Sequence, residues 1–261
     1  MTQRHYSPSR SWHRVGLGAL LVLLPSLQAL ADPDRLSELW LAQEGQLEEP
    51  GYRYYLLDGQ QEAQQRQGRR LHEELATLVE RYALSGHTDL ARGLGQWQDT
   101  IAELDPAPGR TPVRADLAAL LASPRHDPAL ASLAAAGQCT IPEWVELWHF
   151  QGVTRHPWRP GLTLRDLLNE QPRGHWSQAE EAWLISPHGE PRRIGVAAWN
   201  AGDAPLVPGS RVALALTDEV LEAGWINRNL PGYLATRMPG DSCQALATSR
   251  PSQAAPARPG P

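Results

Sequence analysis

The order of apolar runs, turn residues and cap residues between Trp144 and Leu216 constrains this chain more than any other feature of its sequence. Trp144 to Gln151 is apolar on both faces, the pattern of a strand buried from two sides. Val153 to Trp158 returns toward Pro160-Gly161, a turn dipeptide. Thr163 then precedes Leu164, Leu167 and Leu168, with Asp166 three residues on, so a capped helix is predicted. Trp183 to Ser186 and Arg192 to Ala198 flank Pro187-His188-Gly189 and read as a hairpin. Pro208-Gly209 introduces the last alternating strand, Arg211 to Leu216. Such an order predicts an α+β unit in which a small sheet wraps one helix.

The preceding half reads as mostly helical. Arg35 to Glu48 carries Leu36, Leu39, Trp40 and Leu47 and predicts a helix, and Gly51 to Leu57 is short, aromatic and extended. Leu71, Leu75, Leu78 and Tyr82 follow one seam; Leu90, Leu94, Trp97, Ile101 and Leu104 follow another. Ser85 to Asp89 supplies a turn and cap between them, which predicts an antiparallel helical hairpin whose stripes pack on each other. Asp105-Pro106-Ala107-Pro108-Gly109 breaks the pattern. A short strand over Arg110 to Val113 and a turn of helix over Ala115 to Leu121 are expected next, with further strands only from Glu143. Leu221, Trp225, Leu230 and Leu234 form a last apolar stripe. Pro231 interrupts it, and a mid-helix proline costs about 3 kcal/mol, so a break into two short helices is expected.

Residues 1–31 have the form of an export signal. Arg4, Arg10 and Arg14 precede a mostly apolar stretch, and Ala29-Leu30-Ala31 is a small-x-small site, which predicts cleavage after Ala31. No later run is long enough to cross a membrane, so a periplasmic protein with no integral segment after cleavage is expected. All 24 cationic residues are arginine, and beyond residue 31 they are outnumbered by 29 acids. Nucleic acid is excluded as a general partner, because phosphate neutralisation needs a basic surface. In an oxidising compartment the two cysteines, Cys139 and Cys243, are a candidate disulfide, favoured over two separate thiols.

A search for catalytic constellations returns nothing. His72-Glu73-Glu74 lacks a second histidine one turn on, Gly209-Ser210 reads as a turn, and no phosphate loop or dinucleotide fingerprint is present. His149, His156, His175 and His188 have no metal-ligand spacing and are read as surface residues; no cofactor or metal is expected. Tryptophan is the remaining lead, since the chain has 10 Trp and 1 Phe. Trp148 and Trp183, on predicted strands, are assigned to the core. Trp158 and Trp176, beside Arg155, Arg159, Arg173 and His175, form the candidate ligand or partner patch.

Several blocks in sequence carry a resemblance. Gly152-Val153, Arg159-Pro160-Gly161-Leu162-Thr163-Leu164, Ile194 to Asn200 and Leu206 to Ser210 resemble the β-grasp domains of Wza-type polysaccharide export proteins. Gly109-Arg110-Thr111-Pro112-Val113, Ser123 to Leu130 and the stretch Ile226 to Pro239 extend this. With them the chain resembles the GfcC (YjbG) family of periplasmic capsule and exopolysaccharide biosynthesis proteins. The resemblance implies an SLBB-like, ubiquitin-like β-grasp domain over 141–217. Before it, 32–140 is read as a truncated β-grasp domain carrying the helical hairpin as an insertion. A helical segment over 218–243 and a disordered tail over 244–261 would follow. It implies a non-enzymatic accessory role in capsule or exopolysaccharide export, with polysaccharide or outer-membrane export proteins as partners. The alternatives are a polysaccharide-modifying enzyme and a pure protein–protein adaptor.

Overall fold

A computed structural model describes residues 33–44, 51–217 and 220–246. The expected export signal of residues 1–31 lies outside them. The described residues form an α+β fold with two sheets.

The larger sheet has five strands in the order β4-β3-β7-β5-β6: β3 Trp144–His149, β4 Gly152–Pro157, β5 Glu181–Ile185, β6 Pro191–Gly195 and β7 Arg211–Leu214. Strand β3 pairs antiparallel with β4 and parallel with β7, and β5 runs antiparallel to both its neighbours. Between β4 and β5 lies α5 (Leu164–Asn169). Its Thr163 hydroxyl accepts the Asp166 amide N–H at 3.2 Å, while the Asp166 carboxylate accepts the Thr163 amide at 3.2 Å, as the cap signal predicts.

The two apolar seams are α2 (Gln60–Leu84) and α3 (Thr88–Leu104), a helical hairpin. Leu71, Leu75, Leu78, Leu94, Trp97 and Ile101 are fully buried, yet their partner is more than each other. Trp97 packs edge-on against Trp148 with ring centroids 5.6 Å apart and donates its indole N–H to the His149 carbonyl at 2.9 Å. The hairpin and the five-stranded sheet therefore share one core. Gly93 marks the closest approach, since a Cβ there would collide with the Phe150 carbonyl. A helix-interior glycine costs about 1 kcal/mol, and this contact explains its presence.

The smaller sheet has the order β1-β2-β8: β1 Gly51–Leu57, β2 Leu133–Thr140 and β8 Cys243–Leu246, all antiparallel. Its own core comprises Leu36 and Trp40 of α1 (Leu36–Ala42), Tyr55, Leu133, Ala136 and Leu120 of α4 (Leu117–Ala122). Cys139 and Cys243 face each other across β2 and β8 and form a disulfide, with Cα atoms 3.9 Å apart and a sequence separation of 104.

Several expectations need correction. No strand forms over Arg110 to Val113; Gly109 makes one isolated bridge to Arg237, and Arg110 turns its backbone N–H to the Thr236 carbonyl. Helix α1 ends at Ala42, well before Glu48. Residues 244–246, read as the start of a disordered tail, belong to β8; residues 247–261 lie outside the described residues. The C-terminal stripe is one helix, α6 (Leu221–Ala235), with Pro231 inside it. Leu230, Pro231, Tyr233 and Leu234 are all buried there, and the Gln67 side chain donates to the Asn229 carbonyl at 3.1 Å. Packing against α2 thus outweighs the amide bond that the proline removes.

Candidate functional site

The six residues of the expected patch do not converge. Trp158 and Arg159 lie at the Glu143 end of the β3–β4 hairpin, where the Trp158 amide donates to the Glu143 carbonyl. His175 and Trp176 lie at its other end, where the Phe150 amide donates to the His175 carbonyl. Six residues of strand separate them, roughly 20 Å at about 3.3 Å per residue. Both indoles are half-buried against the core, and Trp158 donates its N–H to the Leu206 carbonyl at 2.7 Å. Arg159 is ion-paired with Glu170, and Arg173 is exposed. Arg155 belongs to a structural network. It stacks 4.2 Å over the Trp144 ring and bonds Glu146 at 3.1 Å and Asp241 at 3.0 Å. The buried Glu146 also accepts from Arg211 at 3.1 Å and from the Trp148 indole at 2.9 Å. Burial opposes its charge, but Arg211, Trp148 and Arg155 together hold its pKa below the ordinary glutamate value.

A wide opening lies elsewhere. A cleft of about 840 Å³ runs between the segment leading through α4 and the β5–β6 turn. Arg114, Ser123 and His126 line one wall; His188, Glu190 and Arg192 line the other. Asp116 anchors the first wall by capping α4 through the Ala119 amide (3.0 Å) and pairing with Arg114 at 2.9 Å. Burial works against the Asp116 carboxylate, but Arg114 and Ala119 outweigh it and lower its pKa. His188 sits edge-on to Tyr52 of β1, and its pKa is lowered, first by burial and then by Arg114.

Behind the cleft is a junction of two buried guanidinium groups. Arg110 donates to the carbonyls of Arg237 (3.0 Å) and Pro187, and its Nη2 has no hydrogen-bond partner among the described residues. Arg237 donates to the Leu104 carbonyl, the Gln64 side chain and the Thr236 hydroxyl. Neither is ion-paired among the described residues. Burial, helped by the charge of Arg211, pushes Arg110 down to about 9, so it stays cationic at neutral pH. The junction therefore adds positive potential to a cleft whose walls already carry Arg114 and Arg192.

Residues 152–239 match the family model described as Capsule biosynthesis GfcC C-terminal. Over this stretch the chain is similar to a GfcC C-terminal region. The match supports membership of the chain in the GfcC family, as the sequence blocks suggested. No curated protein matches the chain. The GfcC region runs from β4 through α6 and supplies His188, Glu190 and Arg192 to the cleft, whereas Arg114, Ser123 and His126 come from the segment before it.

Two features of the GfcC region and its border escaped sequence reasoning. His149, read as a surface residue, is 2% exposed and stacks on His175 with ring centroids 4.7 Å apart and planes 5° from parallel. Its Nδ1 accepts the Gln151 amide, which places the proton of the neutral ring on Nε2. Burial first, then His175 and His156, push its pKa to about 4. Among the described residues no group of three or more metal-binding side chains is found. The second feature is the cleft itself. His126, His188 and Arg192 stand in separate loops and strands with no common spacing, so no local signal marks it.

Proposed function

We propose that this chain is a non-enzymatic periplasmic accessory protein in capsule or exopolysaccharide biosynthesis and export, and that it holds polysaccharide in the cleft between α4 and the β5–β6 turn. The observation that carries the reading is the GfcC C-terminal match over residues 152–239, whose description places the family in capsule biosynthesis. An extracytoplasmic location accords with that family, with the signal-like residues 1–31 and with a disulfide. Among the described residues no helix is long and apolar enough to cross a membrane. We read the five-stranded sheet with α5 as a β-grasp, SLBB-like domain. The β1-β2-β8 sheet is the truncated first domain, with α2 and α3 as its insertion.

The cleft supports binding over catalysis. Glu190 is the one carboxylate among its lining residues, and the neighbouring Asp116 is committed to Arg114 and the α4 cap. Glycoside hydrolysis needs two carboxyl groups facing each other across the bond. The test is calorimetric titration of the chain from Asp32 onward with the producing cell's purified exopolysaccharide. Saturable binding, weakened by Arg192→Ala and His126→Ala, is expected. Absence of binding at near-millimolar sugar overturns the polysaccharide role and leaves the export machinery as partner. Depolymerisation of the polymer by the protein overturns the non-enzymatic reading.

A further inference from the structure

A second, smaller cavity of about 350 Å³ opens on the far side of β5 from the polar junction's hairpin turn, between that strand and α6. Trp183 lies in its wall, half-buried, directly across from Arg193 on β6 and Ala213 on β7. Trp97, Trp144, Trp148 and Trp158 all donate their indole N–H to protein acceptors, whereas that of Trp183 meets none among the described residues. Around it stand planar polar groups: Gln178, Glu180, Glu181, Arg193 and Arg228. Glu181 and Arg193 are already held together at 3.2 Å. The opposite wall is fixed as well. The Asn227 amide clamps Leu216 from both sides, accepting its N–H at 2.8 Å and donating to its carbonyl at 2.7 Å.

The chemistry of this lining selects one kind of ligand. An indole face suits a flat, weakly polar surface, and an indole N–H suits an acceptor at its rim. Planar carboxylate, amide and guanidinium groups each present paired hydrogen-bonding atoms, which match neighbouring hydroxyls. A pyranose ring offers both: an apolar C–H face and a rim of adjacent hydroxyls. Among the described residues two carboxylates and two guanidiniums line the cavity, so these present no net charge that favours an anionic sugar. The cavity falls at the small end of ligand pockets, about 300–1,000 Å³, which suits one or two sugar rings.

A second aromatic stands nearby. Trp199 is 74% exposed, the most exposed tryptophan among the described residues. Its turn is anchored to the same wall, because Val196 and the Asn200 side chain both donate to the Glu180 carbonyl, at 2.9 and 3.0 Å. We propose that the Trp183 cavity is a saccharide subsite that takes a neutral pyranose residue of a polysaccharide chain, and that Trp199 supports the adjoining stretch of the same chain. The proposal rests on the polysaccharide-binding reading and assigns it a second contact surface apart from the cleft.

The test uses the chain from Asp32 onward, labelled with ¹⁵N at tryptophan, and short oligosaccharides cut from the producing cell's own exopolysaccharide. The expected result is a saturable shift of the Trp183 indole N–H resonance, with binding about tenfold weaker in Trp199→Ala and in Arg228→Ala. Both are surface changes that leave folding intact; Trp183→Phe keeps an aromatic face, though a smaller one, and removes the donor, and should also weaken binding. If the oligosaccharides bind but move neither Trp183 nor the affinities of these variants, and Arg192→Ala alone weakens them, the subsite is overturned while the cleft reading stands. If no oligosaccharide binds at all, both fall. A Trp183 shift produced only by a protein partner also overturns the saccharide assignment.

Discussion

The two sheets of this molecule are held together by different means. The five-stranded sheet is built from one continuous stretch, β3 to β7, and buries Val145, Leu147, Trp148, Val212 and Leu214 in a core shared with α2, α3 and α6. Its one buried charge cluster is neutralised: Glu146 against Arg211 and Arg155. The three-stranded sheet is gathered from three distant segments over a small core, and is closed by a disulfide spanning 104 residues. Its polar joints are of another kind. Asp127 accepts the Ser37 amide (3.0 Å) and hydroxyl (2.7 Å), and Arg110 and Arg237 rest on carbonyl, amide and hydroxyl acceptors without a carboxylate. One sheet is stabilised by what it buries, the other by how its ends are tied.

The largest expected effect tests that contrast at two arginines. Arg211→Met strands the Glu146 carboxylate in the interior with only the half-exposed Arg155 and the Trp148 indole left to it. A loss of about 3 kcal/mol is expected by urea denaturation. Arg110→Met strands no opposite charge; it removes a donor, Nη2, that has no partner, and leaves the Arg237 and Pro187 carbonyls without theirs, so its cost should be smaller, about 1–2 kcal/mol. Equal losses in the two variants would erase the distinction. Next comes the bridge. Replacing Cys139 and Cys243 by Ser should cost about 2–4 kcal/mol. The gain in amide hydrogen exchange should be confined to β1, β2 and β8. Loss of protection in β3 and β7 as well would make the two sheets a single cooperative unit.

The same contrast governs what could be read from the sequence. The hairpin β3–β4, the Thr163 cap, the β5–β6 turn and the α2 and α3 seams are local signals, complete within a few turns or strands, and each lies where its residues predict. Strand β2 was missed because Leu133-Ala134-Ala135-Ala136-Gly137 lacks the branched and aromatic residues that mark strands. It exists because partners on both sides need small residues: a Cβ at Gly137 would meet the Tyr54 hydroxyl of β1 at 2.6 Å. Strand β8 was hidden for a similar reason, since what fixes it is a cysteine far away in sequence. The six patch residues lie apart because proximity along the chain is not proximity in space: the β3–β4 hairpin holds Trp158 and Trp176 at opposite ends. Cleft and subsite both arise only when segments from two or more elements are brought together.

A smaller effect separates the sheets by pH. In the unfolded chain His149 titrates near 6.5, and in the folded chain near 4. As pH falls the unfolded state takes the proton first, so stability is full above pH 6.5 and declines between 6.5 and 4. The slope is at most about 1.4 kcal/mol per pH unit for one group. His149→Phe should flatten the decline in this window. Protection in β3 and β4 should fall first, while β1 and β2 hold; a decline unchanged in the variant would place the acid-sensitive group elsewhere.

The smallest effects come from two helix caps, one in each half. Thr163→Ala removes the hydroxyl that accepts the Asp166 amide and should cost about 1 kcal/mol. Because α5 buries Leu164, Leu167 and Leu168 in the large core, that loss should appear in the global transition. Asp116→Ala removes the corresponding acceptor for the Ala119 amide at the head of α4, and the same bookkeeping of one cap gives about 1 kcal/mol. Its consequences should be local, because α4 packs on α1 over the small core. It also releases Arg114 from its carboxylate at the mouth of the cleft, which raises the positive charge there. Exchange around α1 and α4 should rise with the global midpoint little changed, and binding of an anionic polysaccharide should tighten at low salt. A shift in the global midpoint as large as that of Thr163→Ala would mean that the small core is not a separate unit, and that closure of its ends contributes no more than burial does.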